Sequence, residues 1–243
     1  MHEAAVRAAA YVDAHGDALA RLRAAALLGD EGSGRVLETL APDDAPSLRR
    51  ALAIADDLRA LAHPRVRDWA ERLASACADD GGWSPGAPLD ERLFETGMIA
   101  GHLAKTRWVR PELLAGAGDF LARYWSPDRV QGRRWSAIAA HAHLFANADH
   151  DAADAVLQWC GRELGRGFVT RAFDAVRTAR VLVWCDAHGL PGAELRVPDL
   201  LVALVTEQRP DGSFPRWDGE GARDAIESTL DGLVAIRRLA GRR

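Results

Sequence analysis

The chain is poor in cysteine: Cys77, Cys160 and Cys185 are its only three in 243 residues. They are too few and too scattered for a disulfide framework, so a reduced, cytoplasmic setting is the expectation. Lysine is scarcer still, with Lys105 alone among the 31 basic residues. The net charge is −4, with acids and bases mixed along the chain. A concentrated basic patch is missing, which argues against nucleic acid as a partner. No window approaches the roughly 18 uninterrupted apolar residues that a membrane span requires, so no integral membrane segment is expected. The opening "MHEAAVRAAAYVDAHGD" carries charge in its first turns and lacks the pattern of a signal peptide. No useful length alternates apolar with polar residues, which leaves no candidate strand.

What the chain does have is helical spacing almost throughout. In "RVRDWAERLASAC", Val66, Trp69, Leu73 and Ala76 form a single stripe. "RPELLAGAGDFLARYW" sets Pro111 at a helix start and lines Leu113, Leu114, Ala117, Phe120, Leu121 and Tyr124 on one side. The fold class is all-α.

The helices also repeat. "ADDGGWSPGAPLDERLFETGMIAGHLAK" (78–105) lies on "QRPDGSFPRWDGEGARDAIESTLDGLVAIRRLAG" (208–241). Each passes from Asp-Gly-small-aromatic through a Gly/Pro-rich connector into a helix. Glu95-Thr96-Gly97 aligns with Glu227-Ser228-Thr229, and Gly101 with Gly232. Weaker copies follow Trp125 and around Gly167-Phe168. A period of roughly forty to fifty residues implies stacked helical hairpins. Outer helices are expected near 65–77, 111–124, 151–164 and 196–207, and inner helices near 91–105, 133–147, 171–187 and 223–240. Residues 1–62 add less regular hairpins before the repeat region 63–243, all within one domain. The expected architecture is a single α/α toroid of five to six hairpins. In it the glycine of each motif ends an outer helix, and the carboxylate serves the next helix start.

Gln208 with Asp211-Gly212-Ser213-Phe214 resembles the repeat of squalene–hopene and oxidosqualene cyclases and of protein prenyltransferase β subunits. Asp80-Gly81-Gly82-Trp83 is similar to a second copy. The likeness covers about residues 65–241 in pattern and is specific at 79–83 and 207–214. It implies a ring of inner helices around an apolar cavity that takes isoprenoid chains. The D-x-D-D acid of the large cyclases is absent. The acidic clusters "APDDAP", "IADDL" and "ADHDAAD" have other spacings and read as helix starts and solvated faces. The zinc ligands of the prenyltransferases are absent too: Cys185 and His188 supply two ligands where zinc takes three or four. No metal and no cofactor is expected.

The inner helices carry the remaining candidates. Glu91, Glu95, Met98 and His102 share one face; Ser136 and His143 share another, with His141 some 160° away. Arg171, Asp174, Thr178 and Cys185 follow on the third helix, and Asp224, Glu227, Ser228 and Asp231 form an acidic stripe on the fourth. Carboxylates and histidines converging in a partly apolar pocket shift one another's pKa values and supply acid–base groups. The expectation is therefore a metal-independent cyclase or isomerase acting on a hydrophobic, isoprenoid- or polyketide-like substrate. Glu95, His141 and Asp174 would move the proton; His102, Trp135, Arg177, Trp184 and Glu227 would hold the substrate. The alternative is a non-catalytic protein that binds a ligand or peptide on its concave face. A deep apolar chamber favours the enzyme, whereas a charged bowl or a centre filled by side chains favours the binder. The sequence leaves the oligomeric state open.

Overall fold

A computed structural model describes residues 1–29, 32–132, 134–217 and 224–241. The connector expected at 218–223 lies outside them, as does Arg133 at an expected helix start. The described residues form twelve α-helices: α1 His2–His15, α2 Ala18–Leu28, α3 Ser33–Thr39, α4 Ala45–Asp57, α5 Pro64–Ser75, α6 Leu89–Ala104, α7 Pro111–Arg123, α8 Trp135–Asn147, α9 Ala153–Val169, α10 Ala175–Trp184, α11 Val197–Glu207 and α12 Ala225–Ala240. No strand element occurs among them, and Pro127–Arg129 forms one 3-10 turn.

Helix starts follow a simple grammar. Asp17, Asp44, Asp174 and Asp224 cap α2, α4, α10 and α12, each accepting a backbone N–H three residues on. An oxygen acceptor at this position satisfies an orphan donor of the first turn and stabilises the helix by about 1 kcal/mol. The odd-numbered α5, α7 and α11 instead place Pro64, Pro111 and Pro198 in their first two positions, where a missing N–H is harmless. Each of this second group packs against an even-numbered partner.

The packing order is regular. Helix α4 touches α6, α6 touches α8, α8 touches α10 and α10 touches α12, while α12 returns to both α1 and α2. Odd-numbered helices pack against their even-numbered neighbours: α5 on α4, α7 on α6 and α8, α9 on α8 and α10, α11 on α10 and α12. The core between these layers includes fully covered Trp69, Trp83, Phe120 and Phe214. Burying each such side chain stabilises the fold by roughly 2–3 kcal/mol.

The two repeat turns are built alike, bond for bond. Ala78 N–H donates to Gly82 O at 2.9 Å, and Arg209 N–H donates to Ser213 O at 2.9 Å. Gly81 and Gly212 take φ of +88° and +90°, the left-handed region that favours glycine. Asp80 accepts from Gly82 N–H at 3.1 Å, and Asp211 from Ser213 N–H at 2.9 Å. The backbone N–H of Trp83 donates to Thr96 Oγ1, and that of Phe214 to Thr229 Oγ1, both at 3.0 Å.

Four sequence expectations are corrected by this geometry. The glycine does not end the outer helix: α5 closes at Ala76 in a right-handed conformation, and Gly81 sits in the turn beyond it. The carboxylate bonds within its own turn, two residues on, instead of reaching the next helix. Thr96 matches Thr229, so the second helix is shifted by one residue from the alignment that paired Thr96 with Ser228. Gly167-Phe168 also differs, since both lie inside α9, where Gly167 lets the Phe173 ring approach.

Candidate functional site

Helices α4, α10 and α12, with Lys105 at the end of α6, bring a hub of acidic and basic side chains together in the interior. The Arg180 guanidinium of α10 donates to both carboxylate oxygens of Asp57, at 2.6 and 3.2 Å. Its Nε lies 3.2 Å from Asp231 of α12. Beside this pair, Lys105 Nζ donates to Asp56 Oδ2 at 2.6 Å. Arg238 donates to the Asp56 carbonyl at 2.7 Å and to Asp186 Oδ1 at 3.0 Å. The side chains of Asp56, Asp57, Arg180, Asp231 and Arg238 are each 3–5% exposed. Three carboxylates thus face three cations, Lys105 included, which offsets much of the desolvation that an unpaired buried charge would suffer.

The electrostatics follow from burial. Burial alone would lower the Arg180 guanidinium, but Asp57 and Asp231 overcome this and raise it. For Lys105 burial wins, and its ammonium is lowered despite the Asp56 contact. His102 and His143 pack edge to face at 4.3 Å and are fully covered. Burial, reinforced by the neighbouring cations, holds both imidazoles well below 6.5. The Trp184 ring carries Arg180 on its face at 4.7 Å, a favourable cation–π geometry.

A cavity opens on each side of this plug. One, of about 370 Å³, is walled by Arg23, Arg49, Arg50, Asp44, Glu227 and Trp184, with Asp57, Arg180 and Asp231 at its floor. It lies toward the N-terminal ends of α4 and α12. The other, of about 620 Å³, lies where the C-terminal ends of α4, α6, α8 and α10 meet, and is lined by Asp56, Lys105, Arg107, Asn147 and Arg238 among others.

Four of the eight predicted residues reach the plug or its N-terminal cavity. Glu227 lines the cavity and accepts from Arg23 at 2.8 Å. Glu95 is held by Arg49, a wall residue, at 2.9 Å. Trp184 lines the cavity, and His102 lies buried in the plug beside Asp56, its Nδ1 3.8 Å from the carboxylate. Trp135 and Arg177 gather at an aromatic cluster: Trp135 packs on Trp184 at 5.7 Å and Trp217 at 5.4 Å, and Arg177 covers Trp217 at 4.7 Å.

The remaining two stand elsewhere. His141 points away from the plug, against the Trp125 ring at 5.2 Å, with Nδ1 2.8 Å from the Ala137 carbonyl. Burial lowers its imidazole to about 4, so at neutral pH Nδ1–H donates to that carbonyl. Asp174 is the cap of α10, accepting from Arg177 N–H at 2.7 Å. Burial raises its carboxyl, and burial likewise raises Glu207, which accepts from Ala175 N–H at 2.8 Å on the same helix start.

Asp56 and Asp57 belong to "IADDL", expected on a solvated face, and they are instead buried at the C-terminal end of α4. Arg180 was not singled out either. Its signal was present: an arginine within the apolar run "ARVLVW" has no place on a core helix unless a buried carboxylate meets it. Arg238 and Lys105 carried no comparable mark. Among the described residues no three His, Cys, Asp or Glu side chains converge as a metal site. Searches of known protein families, curated proteins and solved structures gave no match to this chain.

Proposed function

We propose that the twelve helices form a closed α/α toroid of six hairpins, and that it binds a small charged molecule in the N-terminal cavity of its hub. Ring closure is supported by one recurring contact. The turn at Gly81 abuts the next odd-numbered helix, with its added Cβ position 2.2 Å from the Gly116 carbonyl of α7. The equivalent turn at Gly212 abuts α1, 2.3 Å from the Arg7 carbonyl. Helix α1 thus stands where a thirteenth helix would stand, and Gln208 fastens it by donating to the Ala4 carbonyl at 2.9 Å.

The observation that carries the binding reading is the wall itself. Four arginines and four carboxylates line a cavity of about 370 Å³, in the range of small-molecule sites. An isoprenoid chain there would strip water from charges without replacing it. A dipolar, zwitterionic ligand matches a wall of mixed charge, and an arginine fork suits its carboxylate. Thermal-shift titration with free amino acids and short peptides, against farnesol, tests this. Stabilisation by a zwitterion that is lost in Arg49→Ala supports the reading; stabilisation by farnesol alone overturns it.

The catalytic reading, a cyclase or isomerase working by acid–base chemistry, draws support from a different place. Asp174 and Glu207 share one helix start, each accepting one of its N–H groups, and burial raises both carboxyls, the direction that favours a proton donor. Turnover abolished in Asp174→Asn with the fold intact would favour it. Unchanged turnover in Asp174→Asn, Glu95→Gln and His141→Phe would refute it.

A further inference from the structure

The cavity at the C-terminal end of the hub holds the chain's single lysine. We infer that Lys105 is a nucleophile that forms an imine with a small aldehyde or ketone bound there. At every other position where the chain carries a lysine-type or arginine-type cation, it uses arginine. A guanidinium stays protonated in proteins and offers no lone pair to carbon, so none of those residues could do this chemistry. Lys105 follows the last residue of α6 and lines the cavity together with Asp56, Thr106, Asn147 and Arg238. The volume of about 620 Å³ suits a small molecule. The lysine side chain is 9% exposed, withdrawn from bulk water yet reached from the cavity.

The surroundings suit a reactive amine. Nζ donates to Asp56 Oδ2 at 2.6 Å and to the Trp184 carbonyl at 3.3 Å. A neutral amine has two N–H donors and one lone pair, so it keeps both bonds and turns the pair to the remaining tetrahedral direction. The Trp184 carbonyl also accepts from Asn147 at 3.1 Å, and so stays satisfied when the lysine nitrogen gives up its protons. The Asp56 carboxylate is shared: its Oδ1 lies 3.6 Å from Arg238, which weakens its hold on the ammonium. Burial is the largest influence on Lys105 and lowers it; Arg238 acts in the same direction, against Asp56. Desolvation beside a second cation is how a lysine becomes nucleophilic near neutral pH. The step itself balances. The lone pair bonds to the carbonyl carbon, and the C=O π pair moves to oxygen. Both amine protons leave with that oxygen as water, Asp56 carrying the first, and a C=N bond remains. No oxidant or reductant is consumed. This site lies across the plug from the zwitterion cavity and stands whether or not that cavity binds anything.

Reductive trapping of the full chain with sodium cyanoborohydride, using propanal in one arm and pyruvate in the other, tests the inference by peptide mass mapping. Apart from the terminal amine, Lys105 is the only primary amine in the chain, so an internal adduct reports this side chain alone. At pH 7 its initial rate of modification should exceed that of the same residue in the guanidinium-unfolded chain by about tenfold or more with at least one probe. A lysine serving only as the partner of Asp56 would instead be protected by folding. Acceleration with pyruvate alone assigns a 2-oxo acid, and with propanal alone a neutral aldehyde. An acceleration below tenfold with both probes, or an adduct confined to the terminal amine, overturns the assignment and leaves Lys105 as an ion-pair partner in the hub.

Discussion

Arg180→Met removes the one cation that joins α4 to α12 through α10. In the wild type its guanidinium contacts Asp57 at 2.6 and 3.2 Å and Asp231 at 3.2 Å, with all three side chains no more than 5% exposed. Methionine fills similar volume, so the effect isolates the loss of charge. Asp57 is then left buried without its two-bond partner, while the nearby Lys105 and Arg238 stay engaged with Asp56. Breaking a buried pair from one side costs about 3–5 kcal/mol, a large part of the 5–15 kcal/mol typical of a whole domain. Urea unfolding followed by far-ultraviolet circular dichroism should show a much lower midpoint with an unchanged slope. Adding Asp57→Asn to Arg180→Met removes the orphaned charge, and at least half of the lost stability should return. A loss under about 1 kcal/mol, the scale of an exposed pair, would show that the plug is hydrated and refute the reasoning.

Two further outcomes follow from the same geometry. Gly81→Ala and Gly212→Ala each place a Cβ at positive φ and within 2.2–2.3 Å of a carbonyl, on α7 and on α1 respectively. Each should lower stability by about 2 kcal/mol or more, whereas Gly132→Ala, whose Cβ meets nothing, should show the backbone strain alone; equal effects at all three in thermal melts would sink the packing argument. Acid should destabilise the fold through its buried imidazoles. His141 drops from 6.5 to about 4 in the folded state, so the unfolded chain binds the extra proton. Its contribution is complete above pH 6.5 and is lost as pH falls toward 4, up to about 3 kcal/mol. His102 and His143 act in the same sense, while the raised Asp174 and Glu207 oppose it at the acid end. His141→Phe should flatten the pH dependence of the urea midpoint between pH 4 and 6.5; an unchanged slope would contradict the assignment.

Much of the helical layout was legible because it rests on local rules. The stripe of Val66, Trp69 and Leu73 needs a 3.6-residue period, and the structure places α5 at Pro64–Ser75, close to the expected 65–77. The turns at Asp80-Gly81 and Asp211-Gly212 were visible because a positive φ restricts residue choice. Their internal hydrogen bonding was not, since Asx-type bonds and helix caps use the same residues. The hub was the harder part. Asp56 and Asp57 look like a solvated pair until Arg180 and Arg238 meet them, and those arginines lie 123 and 182 residues away in sequence. Periodicity reports which face of a helix is apolar, not which charged residue on the other face finds an opposite charge on a distant helix.

The closed ring is tested most directly by a double-mutant cycle across the seam. Arg23 on α2 and Glu227 on α12 are 204 residues apart and meet at 2.8 Å, with side-chain exposures of 7% and 26%. Unfolding free energies of Arg23→Ala, Glu227→Gln and the double variant should give a coupling of about 1 kcal/mol or more. Additive effects, with no coupling, would mean that the first and last hairpins do not touch and that the helices do not close.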